Sequence, residues 1–385
     1  MKSSNAFIYA LAIAASALLN HAANAQTSST ATPDARGKIT ADSSADTAVI
    51  VSFGGLIDSY YAYDFGRPRN FDRPFTTTAA RHNEFNVNLA YIEAKVSGPR
   101  VRGRLALQTG TSVQSNYAAE PTIGAVSGPN LSRFIQEAFA GYQISPNLWI
   151  DGGIFFSHIG EEGFISRDNL TYTRSLSSDY TPYYESGVKL TWQATPKVSA
   201  LLTIVNGWQN ISENNQDKGV GARLDYSPSA STTLSYYDFV GNEAASGLLR
   251  VFNGIGIHTS PTAALTIQWN FDYGTQEKTP GGHSTWFSTG LIGKSQLTPL
   301  VGVSGRVERY QDPDNVIVAT APVVGFKATT ASLGVDVSPL RGKRALWRSE
   351  LRGTWAAEPV FPSRAAVSRT SRTNGLIVTS LALSL

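Results

Sequence analysis

From Val49 onward, hydrophobicity repeats every two residues, often over ten residues or more. In LTIQWNFDYG, Leu265, Ile267, Trp269, Phe271 and Tyr273 alternate with Thr266, Gln268, Asn270, Asp272 and Gly274. In RVRGRLALQTG, Val101, Gly103, Leu105 and Leu107 alternate with Arg102, Arg104, Ala106 and Gln108. LWRSELRGTW sets Trp347, Leu351 and Trp355 against Arg348, Glu350 and Arg352. Successive side chains of a strand leave opposite faces, so these runs are strands with one apolar and one polar face. A soluble sandwich turns the apolar face into a core, whereas a membrane barrel turns it into lipid and the polar face onto a lumen. Strand length favours the barrel, because a tilted strand needs about 9–11 residues to cross a bilayer and soluble strands average about 5–6. Two runs, LSYYDFV and KVSALLTIV, leave their inner face open, and AYIEAKV changes phase near Tyr91, as at a bulge.

The connections alternate in length as well. Ser145-Pro146, Thr195-Pro196, Ser227-Pro228, Ser260-Pro261 and Ser338-Pro339 punctuate the runs at five short turns. Proline suits them because its φ is preset and its missing N–H is harmless outside the ladder, while Ser and Thr bond local backbone. Between the short turns lie long polar connections, such as GRPRNFDRPFTTTAARHN, SVQSNYAAEPTIGAVSGPNL and GEEGFISRDNLTYTRSLSSDYT. Short turns on one rim and long loops on the other predict a transmembrane antiparallel all-β barrel of about sixteen strands, with periplasmic turns and outer loops. The count is uncertain by two around Phe287 to Leu297 and Ala321 to Val337.

Aromatics mark both ends of the apolar face. Tyr142, Trp192, Tyr226 and Trp347 fall beside the short turns, and Tyr63, Phe65, Phe156, Tyr273 and Trp355 fall at the opposite ends. Two girdles at the lipid interfaces have this form, and the plainer reading is core aromatics of a soluble β-protein. Arginine at the midplane of a lipid face costs about 2–4 kcal/mol, and whole proteins are stable by only about 5–15 kcal/mol. Arg102, Arg104, Arg348 and Arg352 therefore cannot all face lipid. Inward candidates include these four with Arg133, Lys189, Arg223, Arg250 and Arg306. Their acidic counterparts are Asp58, Glu93, Glu137, Asp151, Glu185, Asp225, Asp272, Glu308 and Glu350. For each charge the alternative to solute contact is a cross-strand pair that satisfies its neighbour.

The first residues read as a targeting segment. Lys2 precedes an apolar stretch, Ala6 to Leu19, too short to span a bilayer, and Ala23-Asn24-Ala25 has the form a signal peptidase accepts. Residues 1–25 are expected to be a cleaved signal peptide, 26–48 a flexible periplasmic leader and 49–385 the barrel. With no Cys, neither disulfides nor thiolate metal sites are available. A net charge of +3 makes no electrostatic case for nucleic acid. Enzyme motifs are missing. His82, His158, His258 and His283 lie on different elements, and H-E-x-x-H, G-x-S-x-G and P-loop patterns are absent. The faint candidate is His158 near Glu161 and Glu162, and Asp312 to Asn315 lacks the rest of an EF-hand and reads as a turn. No catalysis, cofactor or metal is expected.

Several segments together resemble the OmpL-like β-barrel porins of Gram-negative outer membranes. They are GLIDSYYAYDFGRPRNFDR, FNVNLAYIEAKV, RGRLALQTGTSVQSN, IQEAFAGYQISPNLWIDGGIFFSHIGEEGFISRDNLTYTRSL, PYYESGVKL and IVNGWQNISENNQDKGVGARLDYSP. The resemblance implies an outer-membrane location and a channel for small hydrophilic solutes and ions, and it names no solute. Barrels of this kind commonly end in an aromatic residue read by the barrel-assembly machinery, whereas this chain ends in Leu385. Outer-membrane lipid, small solutes and that machinery are the expected partners, with a homo-oligomer left open. The alternatives are a structural or adhesive barrel with a plugged lumen and, less favoured, an outer-membrane hydrolase.

The loop after the fifth strand, Gly160 to Thr181, is by analogy with large porins the one that narrows the pore. It carries Glu161, Glu162, Asp168 and Asp179 against Arg167 and Arg174. If it folds inward, its acidic groups are expected to face an arc of Arg102, Arg104, Arg133, Arg348 and Arg352.

Overall fold

The computed structural model describes residues 38–40, 48–243, 247–339, 344–363 and 370–385. The expected signal peptide and all of the leader except Lys38–Thr40 and Ala48 lie outside the described residues. Lys38–Thr40 pairs antiparallel with Ile50–Ser52.

Sixteen long strands make the wall. They are β1 (Ile50–Asp64), β2 (Phe85–Ser97), β3 (Val101–Thr109), β4 (Ile135–Ser145), β5 (Leu148–Phe156), β6 (Tyr184–Thr195), β7 (Val198–Val205) and β8 (Gly219–Ser229). They continue as β9 (Thr232–Glu243), β10 (Leu248–Thr262), β11 (Leu265–Glu277), β12 (His283–Gln296), β13 (Val301–Asp312), β14 (Phe326–Val337), β15 (Ala345–Ala356) and β16 (Thr373–Ser384). Each pairs antiparallel with the next, and β16 returns to β1 from Leu376↔Asp64 to Ser384↔Leu56. Closure leaves no strand edge, so ladder N–H and C=O groups are satisfied without water. The phase change expected near Tyr91 is a bulge at Asn88, where Asp58 pairs with Leu89 but Ser59 pairs with Val87.

The prolines fall where ladder donors run out. The Ser227, Ser260 and Ser338 amides each donate to a carbonyl in the preceding turn, from Lys197, Ser231 and Leu300, and Pro228, Pro261 and Pro339 follow at once. Ser227-Pro228 and Ser260-Pro261 thus lie in the last residues of β8 and β10 rather than in the turns themselves. Thr298-Pro299 fills a further turn of the same kind, between β12 and β13. On the loop rim, one connection departs from the long pattern: 278–282 is nearly as short as the turns, with Gly282 at positive φ.

Burial is inverted relative to a soluble protein. Ile92, Leu105, Val307, Leu333, Leu351 and Ile377 are exposed outside, while Asp272, Arg306, Arg348 and Glu350 are buried inside. Tyr142, Tyr226 and Trp347 at the turn rim, and Phe65, Tyr273 and Trp355 at the loop rim, are exposed as girdles require, with Trp192 and Tyr63 half-buried. Phe156 departs from this pattern. Its amide bonds Glu137 and its ring lies 5.4 Å from the Arg104 guanidinium, so it turns inward at the end of β5.

The inner face is not polar throughout. Phe155, Tyr237, Phe239, Phe252, Trp286, Tyr310 and Phe326 point inward and pack with Trp208, Val318 and Phe361 from the loops. Glycines make room for them: a Cβ on Gly254 would stand 2.0 Å from the Tyr237 ring, and one on Gly274 would stand 2.0 Å from the Trp286 ring. Phe252 stacks between Tyr237 and Trp286 at centroid separations of 6.4 and 6.5 Å.

Candidate functional site: a lumen crossed by the β5–β6 loop

The connection from β5 to β6, residues 157–183, enters the barrel and spans it. Its root is clamped to the near wall. His158 contacts the Glu185 carboxylate at 3.0 Å through Nδ1 and the Asp238 carbonyl at 2.7 Å through Nε2. Gly221 leaves the space for this imidazole. Arg223 donates to the His158 and Gly160 carbonyls and pairs with Glu161 and Asp225. Burial opposes a charge on His158, but the Glu185 carboxylate and the two bonds outweigh it, and the pKa is raised. Both ring nitrogens face acceptors, an arrangement that only the imidazolium fills.

The far side of the loop is latched to β11–β15 by charge-assisted bonds to its backbone. Arg348 donates to the carbonyls of Ser166 at 2.6 Å, Leu170 at 2.9 Å and Asn169 at 3.1 Å, and pairs with Asp336 at 2.9 Å. Glu350 accepts from the amide and the hydroxyl of Thr173, both at 2.7 Å. Arg306 donates to the Thr173 carbonyl and pairs with Glu350 and Glu308. Arg352 reaches the Arg174 carbonyl and Glu308, and the hydroxyl of Ser177 donates to Asp272. Within the loop, Arg174 is wholly buried against Asp179, Thr77 and the Tyr183 ring. Glu162 bonds Ser175, and burial raises its pKa against the pull of Arg306 and that hydrogen bond.

A further group of candidates lines the β2–β6 wall. Arg102 pairs with Asp151 at 2.7 Å and lies 4.5 Å from the inward-facing Trp149 ring. Arg104 pairs with Glu93 and Glu137. Lys189 sits over the Phe155 ring at 4.3 Å. Arg133 is no wall residue. It caps the short helix Pro129–Ser132 in the β3–β4 loop, with its guanidinium near Phe134.

The expected facing of acidic loop against basic arc does not form. Glu161 pairs with Arg223 on the near wall, Glu162 turns back into its own loop, and Asp168 lies exposed beside Arg167. Arg348 and Arg352 already pair with the wall carboxylates Asp336 and Glu308, and their remaining donors meet loop carbonyls. Sequence reading passed over Lys95, Trp149, Lys294 and Asp336, all on the inner face. The signal was there: Lys95 shares the parity of Glu93, and Asp336 pairs directly opposite Arg348. Asp312 accepts the amides of Val316, Ile317 and Val318, so the Asp312–Asn315 segment organises a loop.

A closed sixteen-stranded barrel, apolar outside and charged inside with a long loop folded into its lumen, has the form of an outer-membrane porin channel. Residues 50–385 match the family described as "Putative beta-barrel porin-2, OmpL-like", and the chain belongs to that family. The protein is thus an outer-membrane porin. No curated protein matches the sequence. Among solved structures it is similar to the outer membrane channel DcaP of Acinetobacter baumannii, at 9% identity and TM-score 0.55 over 88% of this chain and 97% of that one. It is similar to an anion-selective porin from Comamonas acidovorans, at 11% identity and TM-score 0.56 over 88% and 100%. It is also similar to a trimer form of OmpT from Vibrio cholerae, at 7% identity and TM-score 0.57 over 88% and 99%. At these identities the likeness is one of fold.

Proposed function

We infer that the protein is a passive diffusion channel, admitting small hydrophilic solutes and ions without energy input and without catalysis. The observation that carries this reading is the enclosed wall of paired charges on β2–β6, where Arg102 stays partly exposed to the lumen. In this reading Arg102, Arg104, Lys189 and Arg223 line the solute path, with the carboxylates of Glu137, Asp151 and Glu185 buried behind them in the wall. The 157–183 loop, held by Arg306, Arg348, Glu350 and Arg352, narrows it. Residues 1–25 act as the cleaved export signal, the barrel-assembly machinery inserts the chain, and a homo-oligomer is in keeping with the trimer form of the Vibrio OmpT.

A second reading is a structural barrel with its lumen plugged. It draws on the aromatic cluster of Trp208, Phe252, Trp286 and Phe326, which occupies part of the interior. Planar-bilayer recording of purified mature protein, with liposome swelling in small sugars and amino acids, separates the two. Steps of conductance and swelling are expected. Silence in both assays would favour the plugged barrel.

A further inference from the structure

Near the short turns, three inner ion pairs are asymmetric towards water: the cation is presented and the carboxylate is covered. The Lys95 side chain is 44% exposed and its partner Glu93 4%. Arg102 is 32% exposed and Asp151 1%. Across the barrel, Lys294 is 22% exposed and Asp336 8%. These residues share the inner face by register. Lys95 pairs directly with Arg104, Arg102 with Gly141 and Gly141 with Asp151. Asp336 pairs with Arg348, whose guanidinium reaches the loop inside. All lie within a few residues of a short turn at 98–100, 146–147 or 297–300, or of the end of β14 at Val337. One pair at this end runs the other way: Asp225, opposite Ser199, is 29% exposed beside Arg223 at 20%. Another open carboxylate, Asp168, is on the crossing loop.

We propose that the periplasmic vestibule is an anion-receiving surface and that the channel therefore prefers small anions, carboxylates among them. This deepens the channel reading and rests on it. By formal charge each pair is neutral, so the preference does not come from net charge. It comes from what a solute can touch. A passing carboxylate can exchange water for the guanidinium of Arg102 or the ammonium of Lys95 in a charge-assisted bond. A passing cation cannot reach Glu93 or Asp151, because the basic side chains that neutralise them stand between them and the water. The exposed charges are screened over about 8 Å at physiological ionic strength, so the preference should weaken as salt rises.

The test is the reversal potential of single channels across a potassium chloride gradient, in dilute and in concentrated salt. The wild-type chain should show chloride permeability above potassium permeability, most clearly in dilute salt. Lys95→Gln should move the ratio toward one. The deciding variant is Arg102→Gln with Asp151→Asn, which removes a whole pair and leaves net charge unchanged. If the covered carboxylate counted equally, that variant would keep the parent's reversal potential, and the proposal would be wrong. A conducting wild-type channel that is indifferent or cation-preferring also overturns it. An absence of any conductance would instead defeat the channel reading itself. Should that double variant fail to fold, Lys95→Gln with Glu93→Gln removes another whole pair at unchanged net charge and decides in its place, Arg104 keeping Glu137 as partner.

Discussion

Gly274 occupies a place where any side chain would strike the Trp286 indole, since its Cβ would stand 2.0 Å from Cζ2. Glycine in a strand is disfavoured on propensity, so its presence here reflects space. Gly274→Leu is expected to cost about 1–3 kcal/mol or more by overpacking. The check is urea unfolding in detergent, with Gly293→Ala, which meets nothing within 4 Å, staying close to wild type. The second residue of consequence is His158, set among Glu185, the Asp238 carbonyl and Arg223. Its folded pKa is raised, so its contribution is complete below the ordinary value of about 6.5 and is lost as pH rises through the raised value. Amide protection factors in the root of the 157–183 loop, with the intrinsic base-catalysed exchange rate divided out, should therefore fall on the alkaline side. A His158→Gln variant should flatten that dependence, and an equally pH-dependent variant would discard the imidazolium assignment.

At the scale of the element, the crossing loop is held by its backbone more than by its own charges. Arg348 alone donates to three carbonyls spread over Ser166 to Leu170. Removing one partner of a buried ionic cluster typically costs about 3–5 kcal/mol. Arg348→Ala should thus free the loop, raising its amide exchange by about two orders of magnitude or more, while the barrel's own unfolding changes little. Limited proteolysis should cut within 157–183 in the variant first. If the loop stays protected, the latch is elsewhere. The strands show a complementary lesson. LSYYDFV left its inner face open because Tyr236 and Tyr237 are equally apolar. The structure sends Tyr237 inward because Gly254 opposite leaves a hole for it, while Tyr236 faces out.

At the scale of the whole molecule, stability depends on lipid meeting the outer face. Leu351 stands mid-strand on that face and is exposed, so Leu351→Arg should cost about 2–4 kcal/mol when the barrel folds into bilayers. Leu297→Arg, in a turn at the rim, should cost about 0–1 kcal/mol. Folding yield into vesicles, followed by the β signal in circular dichroism, tests the difference. Equal yields would mean that Leu351 does not face the hydrocarbon.

The wall was legible in the sequence because a strand's pattern is local. Leu265 to Tyr273 declare their outward face by alternation alone, and Ser338-Pro339 marks the end of a strand because Pro cannot donate to the ladder. The inward positions of Arg102, Arg348 and Glu350 follow from the same parity. Tertiary structure alone decided which inward charges meet. Arg223 and Glu161 lie far apart in the chain, as do Glu350 and Thr173, and no periodicity links a loop to the strand on the far side of a barrel. Sequence also could not show that Tyr237, Phe252 and Trp286 would fill an interior read as polar, because their places depend on glycines on neighbouring strands. Alternation specifies the face that each residue takes, and only closure of the sheet brings distant faces into contact.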